Sequence, residues 1–501
     1  GAVIIMLLQL LMNRNKLSKT GTKHIQTIVN QLTKKWKAIE VNEDYSEMNR
    51  MIENSIKELR KIIYYRRFNG YYLSNEGRLN VKISACLEKV NILLDRFTEE
   101  EEHYTETMRA LSDELANLNE YIKTGSSCPH SLQALRKLVQ EKNSLYINDV
   151  IYSFSLLYDI LDEYYQSDKK ELDHINKEGS IPPTFTTSYR HRIDLNKESV
   201  RFSYAMRLGI IIALAAFISD YYALENGRWI LFTIFSITQP FSEHTRFRIP
   251  QRIIGTLLAV VLFITLFSIF TGTTSRTLIV LLFGYLNSYA TTYRNIILTA
   301  TVSALGSASL LSDPAIVTIE RILYILAGVL IGFFANRYIF PYSIKKDTTA
   351  LVQMYKDTSR HLMDEVYAFL THKKTKNTIH NLFVITSFIE DRILLHNETV
   401  ELKDSQNFLN KQKKLNNSIY ELYLRTTRNK IDDATVKLIM EDVDRIMHTR
   451  CQDLDKLAAK LKNHIHPDTK IEDRILINNI VHIFTDFKKI QSYKIEFVPK
   501  K

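Results

Sequence analysis

From residue 202 to residue 341 the chain runs through apolar stretches long enough to cross lipid, with charged side chains rare. That one feature constrains the fold more than any other. A hydrocarbon core about 30 Å thick is crossed by roughly 20 apolar helical residues, and inside it every main-chain polar group must be satisfied by protein, which leaves helices or closed barrels. Helices are favoured here, because only 14 glycines and 9 prolines occur in 501 residues while good helix formers abound. Whole-chain averages hide the pattern: 45% hydrophobic and 24% charged residues resemble a soluble multidomain protein, but the two classes occupy different parts of the chain. The expected fold is an all-α membrane protein. A six-helix transmembrane block at 201–342 is flanked by two cytoplasmic helical domains, at 17–200 and 343–501.

The block divides into apolar segments at 202–219, 229–240, 252–270, 277–293, 295–311 and 315–340, joined by very short loops. Basic residues concentrate in inward-facing loops. The second-to-third loop (Glu243-His244-Thr245-Arg246-Phe247-Arg248), Arg294 and Lys345-Lys346 therefore fall on the cytoplasmic side. The opposite loops hold Asp220, Glu225, Arg228, Arg276 and Asp313 and are less basic. Both flanks are then expected in the cytoplasm, on the inner side of a cytoplasmic-type membrane. The net charge of +11 has its source in this rule, so no nucleic-acid partner is expected.

The apolar run at 1–12 is followed by Asn13-Arg14-Asn15-Lys16, the reverse of a signal peptide, whose basic residues come first. At 1.5 Å per residue it spans only about 18 Å. It reads as the end of a preceding transmembrane helix (1–16), in a chain that begins partway through a longer protein. The flanks carry helical apolar periodicity, as at Ile52, Ile56, Leu59 and Ile63, at Leu382, Ile385, Ile389 and Ile393, and at Val436, Ile439, Val443 and Ile446. Asn69-Gly70 and Gly125-Ser126-Ser127 mark turns, and 179–183 a linker. Cys86, Cys128 and Cys451 have no CxxC spacing and read as reduced thiols; His464 and His466 read as solvated.

No nucleotide-binding, zinc-protease or hydrolase motif is found. Neither an enzyme nor a cofactor or metal is expected. The second segment is too short to span and ends on Thr238-Gln239-Pro240; a helix that stops at depth needs shelter in protein or a wet cavity. Thr299, Ser303 and Ser307 form a hydroxyl stripe on the fifth segment, expected beside that break. Segments three and six share a similar run starting at Arg252 and Arg321, a hint of an inverted repeat with a midplane site. Arg252 is expected at an inner helix end, whereas Arg321 is expected near the outer side, with Glu320 as its neutralising neighbour. Tyr285, Tyr289 and Tyr293 fall on one face of the fourth segment.

Tyr204-Ala205-Met206-Arg207-Leu208, then Glu225-Asn226-Gly227-Arg228-Trp229-Ile230-Leu231-Phe232-Thr233, Gln239-Pro240, Thr245-Arg246 and Gln251-Arg252-Ile253-Ile254-Gly255-Thr256 together resemble the FUSC family. These are fusaric-acid-resistance-like proteins grouped with bacterial aromatic acid exporters. The order WIxxT, QP, TR, RxxGT over about fifty residues carries the likeness. The resemblance implies a membrane block with cytoplasmic helical regions, and larger members with two membrane halves. The chain departs from the pattern after Thr256, where Leu257-Leu258-Ala259-Val260 replaces further glycines. Plant malate-type anion channels look similar in the same region.

The resulting expectation is an ion-gradient-driven exporter of small organic anions, with aromatic carboxylates in view. Its rivals are a passive anion channel and a membrane-anchored helical scaffold. Buried cations need an anionic partner, so Arg207, Arg252 and Arg321 would attract the carboxylate and Trp229 and Tyr289 its apolar part. Gly255, Thr256, Thr238, Gln239, Thr299, Ser303 and Ser307 complete the expected path. The expected partners are the lipid bilayer and a small organic anion, with the protein as a homo-oligomer.

Overall fold

The computed structural model describes residues 16–99, 105–126, 132–142, 145–175, 177, 181, 199–372, 377–428, 459 and 471–498. The segment at 1–12, Cys128, Cys451, the face at 436–446, and His464 and His466 lie outside them. Seventeen helices are described. In chain order they are α1 (Lys16–Glu40), α2 (Ser46–Tyr65), α3 (Asn75–Glu99), α4 (Thr105–Thr124), α5 (Gln133–Lys142), α6 (Leu145–Gln166), α7 (Lys169–Asp173), α8 (Val200–Tyr221) and α9 (Arg228–Ile237). Then follow α10 (Ser242–Ile269), α11 (Thr273–Asn287), α12 (Tyr293–Ser309), α13 (Pro314–Tyr338), α14 (Ile344–His372), α15 (Asn377–Asn397), α16 (Ser405–Arg428) and α17 (Ile471–Gln491). Among the described residues there is no strand, only isolated bridges such as Phe68 with Tyr72. The chain is nearly all helical.

The chain forms two compact units, Gly1–His191 with Leu351–Lys501, and Arg192–Ala350. The flanks were expected as two separate domains, and the structure brings them together as one. Their apolar stripes, each too narrow for a core of its own, pack into a single cluster that includes Trp36, Leu111 and Phe154 from one flank and Phe383, Tyr420 and Phe484 from the other. Polar bonds cross the same seam. Arg60 donates to Ser387 Oγ (3.0 Å) and Arg67 to Asn381 Oδ1 (2.8 Å), and Arg425 donates to Asp149 (3.0 Å). Arg60 also lies 4.4 Å from the centre of the Phe383 ring. The turn at Asn69-Gly70 has both residues at positive φ, 52° and 70°, the conformation that asparagine and glycine tolerate.

The other unit is built from α8 to α13. Three of these helices, Val200–Tyr221, Ser242–Ile269 and Pro314–Tyr338, are long and apolar enough to cross a membrane. Two boundaries differ from the sequence expectation. Residues 243–248, read as a loop, form the first turns of α10, which continues through Pro250. A proline usually marks a helix boundary, but here tertiary bonds hold the turns before it: Ser242 N donates to Tyr342 O (2.9 Å), Asn336 to Ser242 O (3.0 Å), and Arg248 to Ser236 O (2.9 Å). Arg252 therefore sits ten residues inside α10, about 15 Å from its start, rather than at a helix end. The fourth segment stops at Asn287, and Tyr293 opens α12. That divides the tyrosine stripe; Tyr285 and Tyr289 hydrogen-bond each other (2.7 Å) at an exposed position.

Candidate functional site: a buried arginine pair

The short helix α9 organises the membrane unit. It has ten residues, about 15 Å of rise, half of what a hydrocarbon core requires. A helix that ends early leaves carbonyls without intrahelical partners and the negative end of its dipole unscreened. Two arginines meet that need. Arg248 donates to Ser236 O (2.9 Å). Arg207, fully buried, donates to Gln239 O (2.6 Å), Pro240 O (2.9 Å) and Phe340 O (3.3 Å). Thr245 Oγ1 accepts from Gln239 N (2.9 Å), while the Gln239 side chain folds back to donate to Thr238 O (3.0 Å). Arg207, expected to attract a carboxylate, has its terminal nitrogens on main-chain carbonyls.

Helix α13 runs parallel to α9. A Cβ added to Gly328 would stand 2.8 Å from Thr233 Cβ and 3.1 Å from Ile230 O, and one added to Gly332 would stand 2.5 Å from Ile237 Cδ1. These glycines let the two backbones approach closely. Helix α10 runs antiparallel to α9, meeting it at Thr245 with Gln239, Arg248 with Ser236 and Arg252 with Thr233. At Gly255 it also closes on α12, where a Cβ would come 2.9 Å from Arg294 O.

These contacts bring Arg252 and Arg321 to one face of α9, a turn apart. Arg321 sits 4.7 Å from the centre of the Trp229 ring. Arg252 Nη2 donates to Thr233 Oγ1 (3.2 Å), whose own hydroxyl donates to Trp229 O (2.8 Å). Both arginines are 5% exposed, and each lies within the other's field. Among the described residues, no carboxylate forms an ion pair with either. Glu320 does not neutralise Arg321; it accepts from Asn226 (2.6 Å), because adjacent helix residues point to different faces. Both Nε atoms and the hydroxyls of Thr238, Thr256 and Thr301 have no hydrogen-bond partner. Thr256 follows Arg252 by one turn on the same face.

The hydroxyl stripe faces elsewhere. Thr299 donates to Asn287 Oδ1 (2.8 Å) and Ser303 to Val280 O (3.3 Å), so these two turn toward α11, while the exposed Ser307 donates back to Ser303 O (2.8 Å) of its own helix. Tyr289 is 66% exposed and lies away from the arginines. Thr233 was not singled out as a site residue, although it is the threonine of the WIxxT motif, one turn from Trp229. Arg248 was hidden by the reading of 243–248 as a loop.

Long apolar helices around buried, uncompensated guanidiniums define a helical membrane protein with a polar interior. Residues 214–335 match the model of the family described as fusaric acid resistance protein-like. It is similar to an uncharacterized protein of Haemophilus influenzae, 33% identical over 29% of this chain and 20% of that protein. A further relative is uncharacterized protein ORF2 of Neisseria gonorrhoeae, 33% identical over 30% of this chain and 37% of that protein. The inner membrane protein YccS of Escherichia coli is 28% identical over 29% of this chain and 20% of its own length. The matched stretch thus spans between a fifth and little more than a third of these relatives.

Proposed function

We propose that this chain is part of an inner-membrane transporter that moves small organic anions, aromatic carboxylates among them, outward along a path past Arg252 and Arg321. The observation that carries this reading is the pair of buried guanidiniums with no carboxylate partner among the described residues, one of them against an indole face. A buried charge without a counter-charge is costly, and a carboxylate bound between the two would supply it. The aromatic ring of such a substrate would lie near Trp229, with Thr233 and Thr256 offering hydroxyls. The fusaric-acid-resistance-like match supports an efflux role.

In this reading all six helices α8 to α13 belong to the membrane block, and both flanks lie in the cytoplasm. Two supports are independent of loop charge. The shared core of the flanks supports their lying on one side of the membrane, and with it an even number of crossings; the three long helices alone would make an odd number. The antiparallel pairing of α9 with α10 and the parallel pairing with α13 fit helices that reverse direction at each step.

The test is flux of benzoate in proteoliposomes under imposed pH and voltage gradients. Gradient-driven accumulation that is lost in Arg321→Gln is the expected result. A current linear in voltage, without accumulation, would make the protein a passive channel. Flux equal to that of protein-free liposomes would sink the transport reading.

A further inference from the structure

Three arginines meet α9 at successive turns. Arg248 donates to Ser236 O (2.9 Å), Arg252 to Thr233 Oγ1 (3.2 Å), and Arg321 lies over the Trp229 ring. These points of contact are three and four residues apart on α9, roughly 4.5–6 Å along its axis. Arg248 and Arg252, four residues apart, share one face of α10. Exposure falls along the row: Arg248 is partly buried, whereas Arg252 and Arg321 are each 5% exposed. An anion that approaches the buried pair along α10 from its start therefore meets Arg248 first. The far end of the row is closed by an apolar cluster in which Trp229 packs with Val260, Phe263, Phe267, Leu305 and Val317.

Tyr293 bridges the first two arginines. The Arg248 guanidinium stands 4.7 Å from the centre of its ring, its hydroxyl donates to Ser236 Oγ (3.1 Å), and the same phenol is within hydrogen-bonding reach of Arg252. Ser236 Oγ in turn donates to Thr233 O (3.0 Å), which ties the phenol to the wall of α9. Tyr293 is the first residue of α12, directly after the N-cap Thr292. A side chain there has no preceding helical turn beside it, so the rotamers that such a turn excludes inside a helix stay open to it. A phenol also gives a guanidinium weaker bonds than the charge-assisted, two-pronged pair that a carboxylate makes. Among the described residues no carboxylate pairs with Arg248, and its contacts are the Ser236 carbonyl and the Tyr293 ring.

We infer that Arg248 is an outer binding site for the carboxylate of the transported anion, and that Tyr293 is the gate between this site and the buried pair. A carboxylate on Arg248 displaces the ring, the phenol swings off Ser236, and the way to Arg252 opens. With both flanks in the cytoplasm this is the cytoplasmic mouth, the side from which an exporter takes its substrate. Arg246, two residues before Arg248, and Arg294, next to Tyr293, are exposed and add positive charge there, which raises the local concentration of anions. The identity of the ligand rests on the transport reading. The gate is a matter of access to the arginine pair, which can be measured without flux.

The test places a cysteine at Thr256, one turn beyond Arg252, in the full chain with Cys86 replaced by alanine and Cys128 and Cys451 by serine. Its rate of modification in detergent is followed with an anionic reagent, sulfonatoethyl methanethiosulfonate, and a neutral one, methyl methanethiosulfonate. Tyr293→Ala is expected to speed both reagents at least tenfold. Tyr293→Phe, which keeps the ring over Arg248 and loses the hydroxyl bonds, is expected to fall between, and it carries the test if the alanine variant fails to fold. Arg248→Gln is expected to lower the ratio of anionic to neutral rates at least tenfold. Equal rates with and without the Tyr293 hydroxyl and ring, or no modification in any variant, would overturn the gate, and an unchanged ratio in Arg248→Gln would overturn the outer site. Benzoate flux measured on the same variants separates the two readings: flux with modification indifferent to Tyr293 leaves transport and removes the gate, whereas the expected modification without flux keeps a gated anion site and removes transport.

Discussion

Arg321 holds its guanidinium 4.7 Å from the centre of the Trp229 ring, joining α13 to the short helix α9 by a cation and an aromatic face rather than by a salt bridge. Such a contact is worth about 2 kcal/mol when desolvated and leaves the positive charge in place. The geometry depends on a planar group. Arg321→Lys keeps the charge but loses the flat stack and the two-pronged donor. Benzoate flux per folded molecule is expected to drop at least about tenfold, equivalent to 1.4 kcal/mol, with Trp229→Leu giving a comparable loss. Parental rates in both variants would remove this contact from the path.

At Gly328 α13 lies close to the backbone of α9. Replacement of this glycine by alanine forces the new methyl against Thr233 Cβ and the Ile230 carbonyl, and overpacking of this kind costs about 1–3 kcal/mol. A lower melting temperature in detergent is the expected outcome. Gly209→Ala serves as the control, since a Cβ there meets nothing within 4 Å. Equal melting of the two variants would contradict the close approach.

Arg207 acts as the cap of a broken helix. Arg207→Leu would strand the part-buried carbonyls of Gln239 and Pro240, each at up to about 1–3 kcal/mol. The yield of folded protein and its melting temperature should fall, whereas flux per surviving folded molecule should change little. Normal stability with lost flux would reverse the assignment and return Arg207 to the substrate path.

The orientation can be read by thiol labelling in intact cells, using an impermeant reagent. Cysteines at Asn226 and Ser312 are expected to react from outside and one at Ser242 to stay protected. External labelling at Ser242 would overturn the six-helix arrangement.

His380 makes the flank unit sensitive to acid. Its ring is buried and Nδ1 is 2.6 Å from the Tyr420 hydroxyl. Burial, with Lys82 and Arg78 adding to it, holds the imidazole well below the usual histidine range. The folded state thus keeps it neutral while the unfolded chain protonates it below about pH 6.5. Stability from this group is present above that pH and is lost as pH falls, by up to about 1.4 kcal/mol per pH unit. Glu390, raised mainly by burial, works oppositely and gains stability as pH falls through its folded value, so the comparison must be with His380→Gln. Cys86 is a convenient reporter: it is buried and its thiol is pushed up to about 12, so it reacts only on unfolding. With Cys128 and Cys451 replaced by serine, the urea midpoint read by Cys86 labelling should fall between pH 7.5 and 5.5, and fall less in His380→Gln. Identical pH profiles would rule His380 out as the source.

Hydropathy and 3.6-residue periodicity are local properties, and from them the sequence alone determined the helical class, the apolar block, the premature end of the second segment near Pro240 and the arginine-bearing motifs. A side chain's partner is not a local property. Arg207, Arg252 and Arg321 look alike in sequence as cations in apolar surroundings. Packing around α9 made the first a cap for carbonyls and set the other two a turn apart on one helix face, with no carboxylate partner among the described residues. The hydroxyl stripe of α12 was equally legible as a stripe, but which neighbour it faces depended on how α11 folds back after α10. Pro250 misled for the same reason, since bonds from Tyr342, Asn336 and Ser236, distant in the chain or on another helix, hold the turns that precede it. Only the tertiary structure merged the two flanks, because a narrow apolar stripe shows that a helix must be covered and leaves open which distant segment covers it.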